Sequence, residues 1–439
     1  MKVVRRRARW LVLAVMAVAL ALPAAAKANE VTHWNRIAMS TLVAFPAPAG
    51  GAPVALQLNM GMTQGAVYDA LNAIEPRHYR PYVLNRRFGA TASKDAAAAT
   101  AAYRVLSSIV AGVPGAIPFP NRTALQQALD GEYATSLGGI PGSPFKTMGI
   151  RAGNAAADAM IADREGDGRF GPSQWMHQMG VGYWQPLLNA DGSPQLDPTP
   201  WVGGVRPFLL MSPSQFRTAG PNALSSDAWA KDFNEVKAIG ALNSATRLPD
   251  QTHNAVFWQS NGGPALLWND VADDLIESPS HSLDMADSAR LLAMMNLAAA
   301  DAGINVWNDK YYYDFWRPWH AIQQADADGN PATDADPSWT PLLTAPYPDH
   351  PSGHLSLDGA MLGVLQSFFG DDVAFGATSS RFGGETRFFD HFSDVLAEIT
   401  LARIWAGLHY RTADVQGKTL GQSIAAYAAA NYFQPVGNH

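Results

Sequence analysis

An all-α fold made of packed helical bundles is predicted for this 439-residue chain by three observations. Alanine-rich segments carry apolar residues at helical spacing, strand-like alternation is scarce and short, and 47% of residues are apolar against 16% charged, enough to fill a sizeable core and unlike a disordered chain. No internal repeat of solenoid period is present.

The first 28 residues stand apart. Basic "MKVVRRRARW", apolar "LVLAVMAVALAL" and small-residue "PAAAKANE" follow the pattern of a secretory signal peptide, with an apolar run too short for a membrane span. The expectation is an exported protein, periplasmic or secreted, with no integral membrane domain. Its arginines leave a twin-arginine route open. Loss of residues 1–26 removes Lys2, Arg5, Arg6, Arg7 and Arg9 and takes the formal charge from −7 to −12. So acidic a protein is a poor partner for nucleic acid or anionic lipid. With no cysteine, disulfides, thiolate zinc sites and cysteine nucleophiles are excluded.

The remainder divides into an N-terminal helical half with long loops, 29–225, and a C-terminal catalytic helical bundle, 226–439. Residues 29–60 mix Pro, Gly and Ala with short apolar runs and read as an irregular lead-in. Helices follow at "TQGAVYDALNAI", "SKDAAAATAAYRVLSSIVAG" and "AGNAAADAMIADREGDG". The Pro-, Gly- and Trp-rich stretch 171–225 reads as a long loop. Helical periodicity resumes at "SSDAWAKDFNEVKAIGAL". A long helix follows over 282–316, with Ser282 as N-cap and Pro318 as a stop, and further helices lie at 354–370, 392–410 and 412–433.

Three stretches carry candidate chemistry. In "KYYYDFWRP", Lys310 and Arg317 are seven apart, roughly 700° around a helix, so both cations leave one face. In "PYPDHPSGHLSLDG", Ser352, Gly353 and His354 fall where a helix begins. A helix N-terminus offers free N–H groups and the positive dipole end, glycine permits close approach, and histidine titrates near neutrality. In "ARIWAGLHYRTAD", Arg403 and His409 share an apparently buried stretch, and Asp414 stands where a carboxylate could orient the histidine. Each stretch has an ordinary reading: solvated cations, a helix cap, a structural Arg–Asp pair. Together they converge on a tetrahedral oxyanion such as phosphate. "DREGDGRFG" and "ADADGN" lack the terminal glutamate of a calcium loop and read as acidic turns. Trp307, Trp316 and Trp319 read as core, and His320 and His350 have no assigned role.

The order Lys-x6-Arg-Pro, Pro-Ser-Gly-His, Arg-x5-His resembles the type 2 phosphatidic acid phosphatase/vanadium-dependent haloperoxidase superfamily. "RLPDQTHNAVFW", "DGNPATDADPSWTPLL" and "GLHYRTADVQG" resemble its bacterial haloperoxidase-like branch, most strongly from about residue 225 onward. The resemblance implies an anion site in a C-terminal four-helix-type bundle. There Lys310, Arg317, Arg403, Ser352 and the Gly353 N–H would hold vanadate. His409 would bind the vanadium, His354 would be the acid–base residue opposite, and Tyr347 would lie near the halide. Hydrogen peroxide and halide would then be the substrates. The same residues imply an alternative, an exported phosphatase without a cofactor, hydrolysing phosphomonoesters through a phosphohistidine at His409. The chain departs from the family in having Ala402 where serine is frequent, and His-x4-Asp where His-x3-Asp is usual, which puts the orienting role of Asp414 in question. Nothing in the sequence speaks against a homo-oligomer.

Overall fold

The computed structural model describes residues 29–172, 178–260 and 262–437, so the export-signal reading at 1–28 lies outside the described residues. Thirteen α-helices and one hairpin appear among them. The lead-in is not irregular. It forms α1 (Glu30–Val43), capped by the Asn29 side chain, and α2 (Pro53–Asn72), with proline in its first turn. Pro46, Pro48, Gly50, Gly51 and Pro53 punctuate between two helices rather than marking a coil.

Next come α3 (Lys94–Gly112), α4 (Arg122–Gly138) and α5 (Pro144–Asp163). Ser93 and Ser143 cap α3 and α5. After the long loop, α6 (Asp227–Ile239), α7 (Pro249–Phe257) and α8 (Gly263–Glu277) lead to the 29-residue α9 (Met285–Tyr313). Asp284, not Ser282, caps α9, accepting from the N–H groups of Ala286 and Asp287. The short α10 (Pro318–Gln323), α11 (Gly353–Phe369), the antiparallel strands β1 (Asp372–Ser379) and β2 (Glu385–His391), α12 (Phe392–Trp405) and α13 (Arg411–Asn431) complete the chain.

Helices α2 and α9 are buried nearly all round, which explains why they are apolar without a clean amphipathic stripe. One apolar core runs from Val31 to Phe433 and joins both halves of the sequence, while a second, tryptophan-rich cluster surrounds α6 and α10. The long loop is tied to one face of α9. Asp301 accepts from the N–H groups of Phe208, Leu209 and Leu210, Asn305 from that of Phe216, and Asp309 from Thr218 and Arg217. These three residues are spaced i, i+4, i+8, so they stack on a single side of the helix. Helices α11 and α13 pack almost backbone to backbone. A Cβ at Gly417 would lie 2.5 Å from the Ser352 carbonyl oxygen, and one at Gly421 2.1 Å from that of Ser356. That close approach seats the start of α13 against the start of α11.

Candidate anion site

Lys310 and Arg317 do not share a helix face. Helix α9 ends at Tyr313, where Asp314 turns the chain through a left-handed conformation (φ 46°), and Arg317 occupies the N-cap of α10 in extended backbone. The turn itself carries Arg317 back toward the end of α9. Arg317 Nε donates to the Tyr347 carbonyl (2.9 Å) and Nη1 to that of Leu408 (2.7 Å), whereas Nη2 has no partner. Lys310 Nζ donates to the carbonyls of Pro348 (2.9 Å), Asp349 (2.8 Å) and Pro351 (2.6 Å). All three of its protons are thereby used, so Lys310 braces the segment before α11 and offers no free donor.

At the start of α11, Ser352 holds the N-cap position but its hydroxyl does not cap. The hydroxyl meets no partner in hydrogen-bonding geometry, although it lies beside Asp414 and favours that group's charged form. A plain helix cap therefore does not account for the motif. The first-turn N–H groups of α11 have no carbonyl of their own helix to bond. Gly353 lies under the Trp307 ring, where a Cβ would come within 2.9 Å of it, so the position has no room for a side chain. One turn on, His354 Nε2 is 3.5 Å from Asp358 Oδ2, and the other oxygen of Asp358 accepts from Trp268 Nε1 at 2.7 Å.

Arg403, in the last turn of α12, donates through Nη1 to Gln259 Oε1 (3.0 Å) and leaves Nε unpartnered. A left-handed Gly407 (φ 71°), pressed against the Gly240 carbonyl, then turns the chain toward His409. His409 Nδ1 is 2.8 Å from Asp349 Oδ1, and Nε2 is 3.2 Å from Arg317 Nη1. Asp414 is buried in the first turn of α13. It faces Ser352 and Arg403 and makes no hydrogen bond to His409.

These elements enclose a cavity of about 80 Å³ lined by Arg317, Tyr347, Gly353, His354, Arg403 and His409. Trp307 and Gln259 also form its wall, while Lys310 and Ser352 stand directly behind it. The volume suits an ion of a few heavy atoms. Burial, then the charges of Arg317, Lys310 and Arg403, holds His409 far below its ordinary pKa, and burial with Arg403 does the same to His354. Burial raises Asp349 to about 7, Asp358 to about 8 and Asp414 well above the usual carboxylate range. Burial and then Arg317 hold Lys310 well below its ordinary pKa, so the charge of the site rests on Arg317 and Arg403, which partly protonated carboxylates do not balance, and the site favours an incoming anion. Arg317 Nη2 and Arg403 Nε are buried donors without partners on residues that line this one space, and an oxyanion would satisfy them.

Sequence reasoning did not find Asp349, Asp358 or Gln259. Asp349 stands three residues before Ser352 in the motif already singled out. Asp358 was visible as a carboxylate four residues after His354 on a helix. Gln259 carries no local signal. Outside the cavity, His350 packs with Nε2 3.3 Å from the Thr218 hydroxyl, and His320 is buried within α10. Trp316 stacks on Trp229 in the smaller core, which Trp319 also joins. The acidic turns are closed internally, with Asp167 paired to Arg164 and Arg169, and Asp328 accepting from Trp229, Asn330 and Thr333.

Known proteins share this fold. A family model described as the VCPO second helical-bundle domain matches residues 290–438. The chain is 25% identical over 413 residues to the vanadium chloroperoxidase of Curvularia inaequalis, covering 79% of this chain and just under two thirds (66%) of that protein. In fold it is similar to a bacterial vanadium-dependent iodoperoxidase, with a TM-score of 0.74 and 23% identity over 93% of this chain and 97% of that one. It is also similar to a bacterial vanadium-dependent chloroperoxidase in its holo form, with a TM-score of 0.66 and 16% identity over 88% and 92% of the two chains. The helical architecture, the matched C-terminal bundle and these relatives make the chain similar, over most of its length, to vanadium-dependent haloperoxidases in fold.

Proposed function

We propose that the protein is a vanadium-dependent haloperoxidase, exported from the cell, that uses vanadate and hydrogen peroxide to oxidise halide. The observation that carries this reading is the pair of unpartnered guanidinium donors, Arg317 Nη2 and Arg403 Nε, on a small cavity that a neutral histidine, His409, also lines. Arg317, Arg403, Ser352 and the Gly353 N–H would hold the oxyanion, and Lys310 would brace the segment behind it. Bound vanadate would supply a Lewis acid that activates hydrogen peroxide toward halide.

The chain's own residues perform the remaining work. With its Nδ1 engaged by Asp349, His409 carries its electron pair on Nε2, the nitrogen that here accepts from Arg317 Nη1 and that would turn to a bound anion. His354 lines the cavity with Asp358 beside it, a pairing that lets the ring take up and return a proton. Trp307 and Tyr347 pack with centroids 4.9 Å apart and keep water from the side of the cavity next to Gly353. No helix among the described residues is long and apolar enough to cross a membrane.

The test is made on protein purified without phosphate. Orthovanadate is titrated in while peroxide-dependent bromination and iodination of a dye are followed, with phosphomonoester hydrolysis measured in parallel. Halogenation that requires vanadate and vanishes in His409→Ala supports the peroxidase. Hydrolysis that vanadate inhibits, without halogenation, would make the protein a phosphatase working through the same histidine.

A further inference from the structure

We infer that Asp349 is the carboxylate that positions His409, and that Asp414, the residue at the usual place for that role, instead serves the Ser352 and Arg403 side of the anion. The inference rests on the proposed function only in that His409 is taken to face the anion.

An imidazole has two nitrogens, and in this structure both are assigned. Nδ1 lies 2.8 Å from Asp349 Oδ1 and Nε2 lies 3.2 Å from Arg317 Nη1, which is farther, 3.5 Å, from Nδ1. A guanidinium can only donate, so Nε2 accepts and carries the lone pair. The proton is then on Nδ1 and points at Asp349. No nitrogen remains for Asp414. Asp349 is itself fixed at its backbone. Its N–H donates to the Phe315 carbonyl (2.9 Å) and its own carbonyl accepts from Lys310 (2.8 Å). The segment that Lys310 braces is thus the segment that aims the carboxylate.

Asp414 is held elsewhere by the packing of α13 on α11. Ser352 N–H donates to the Ala413 carbonyl (3.0 Å), which docks the first turn of α13 on the N-terminus of α11. Relative to the usual spacing, the one extra residue between His409 and Asp414 rotates the carboxylate by about 100° around α13. It therefore turns away from the imidazole and toward Ser352 and Arg403. The same chain that lost the usual carboxylate position supplies another from the residues before α11.

The experiment uses histidine-selective ¹⁵N labelling of the full, phosphate-free protein, with His409→Gln identifying the His409 signals. The expected wild-type spectrum shows a proton-bearing Nδ1 and an unprotonated Nε2. Asp349→Asn, whose amide offers a donor as well as an acceptor, should shift His409 toward the other tautomer and weaken orthovanadate binding about 10–100-fold. Asp414→Asn should leave the His409 ring signals in place. A wild-type Nε2 that carries the proton would overturn the inference. So would ring signals that move in Asp414→Asn but not in Asp349→Asn. Should Asp349→Asn fail to fold, the wild-type and Asp414→Asn spectra still decide. The expected tautomer in a protein that binds no vanadate would support the positioning role while refuting the proposed function.

Discussion

The outer face of α9 and the cavity at its C-terminal end treat buried polar atoms in opposite ways. Along the helix, Asp301 is fully enclosed yet both its oxygens are occupied by three consecutive backbone N–H groups, at 2.6, 2.7 and 2.8 Å. Asp69 on α2 repeats the device with Tyr82, Val83 and Leu84. A few residues past the ladder, donors on Arg317, Arg403 and Ser352 go unused, and oxygens of Asp349, Asp358 and Asp414 do too. Unpartnered atoms also occur elsewhere among the described residues, at Gln57 and Asn254 for example. Two arginines on one cavity are a different matter, because unsatisfied cationic donors are the costly kind. Saturated polar clusters hold the loops; the unsaturated one is poised for a ligand.

Substitutions on the two sides should separate stability from binding. Asp301→Ala strands three buried N–H groups and should destabilise the fold by about 3 kcal/mol or more, read by denaturant titration. A loss below about 1 kcal/mol would break the contrast. Gly353→Ala forces the Trp307 ring aside and should cost about 1–3 kcal/mol while also weakening oxyanion binding. Ser352→Ala removes a hydroxyl whose one neighbour, Asp414, is out of hydrogen-bonding geometry. It should leave the melting temperature nearly unchanged yet lower orthovanadate affinity about tenfold, as judged by calorimetry. A clear loss of stability there would mean the hydroxyl is structural.

The smallest effect concerns pH. His354 and His409 have depressed pKa values in the fold, so their contribution to stability is present above about 6.5, the unfolded value, and is lost as pH falls below it. An anion in the cavity raises both values and offsets that loss. The thermal stabilisation given by sulfate, whose charge is constant in this range, should therefore grow between pH 7 and pH 5. A stabilisation independent of pH would place the anion away from the histidines.

Much of this was readable from the chain, and the misses share a cause. The helical class and most helices from 225 onward follow from periodicity, because their apolar faces are long. Helix α1 and the first half of α2 were obscured by the prolines and glycines between them, which interrupt a pattern without abolishing it, while the second half of α2 was read as helical. The residues around the cavity were legible as three spaced motifs. Their geometry was not: Arg317 reaches the cavity through the Asp314 turn rather than by helical spacing, and left-handed aspartate has no strong sequence signal. Asp349 was hidden because its contact to His409 spans 60 residues, and local spacing carries no information at that range.

The most direct test of the central claim is equilibrium binding of orthovanadate to the phosphate-free protein, wild type beside Arg403→Ala and His409→Ala. The account predicts one saturable site per chain, competed by phosphate and weakened in both variants with little change in melting temperature. Absence of binding, or binding that both variants retain at full strength, would contradict it.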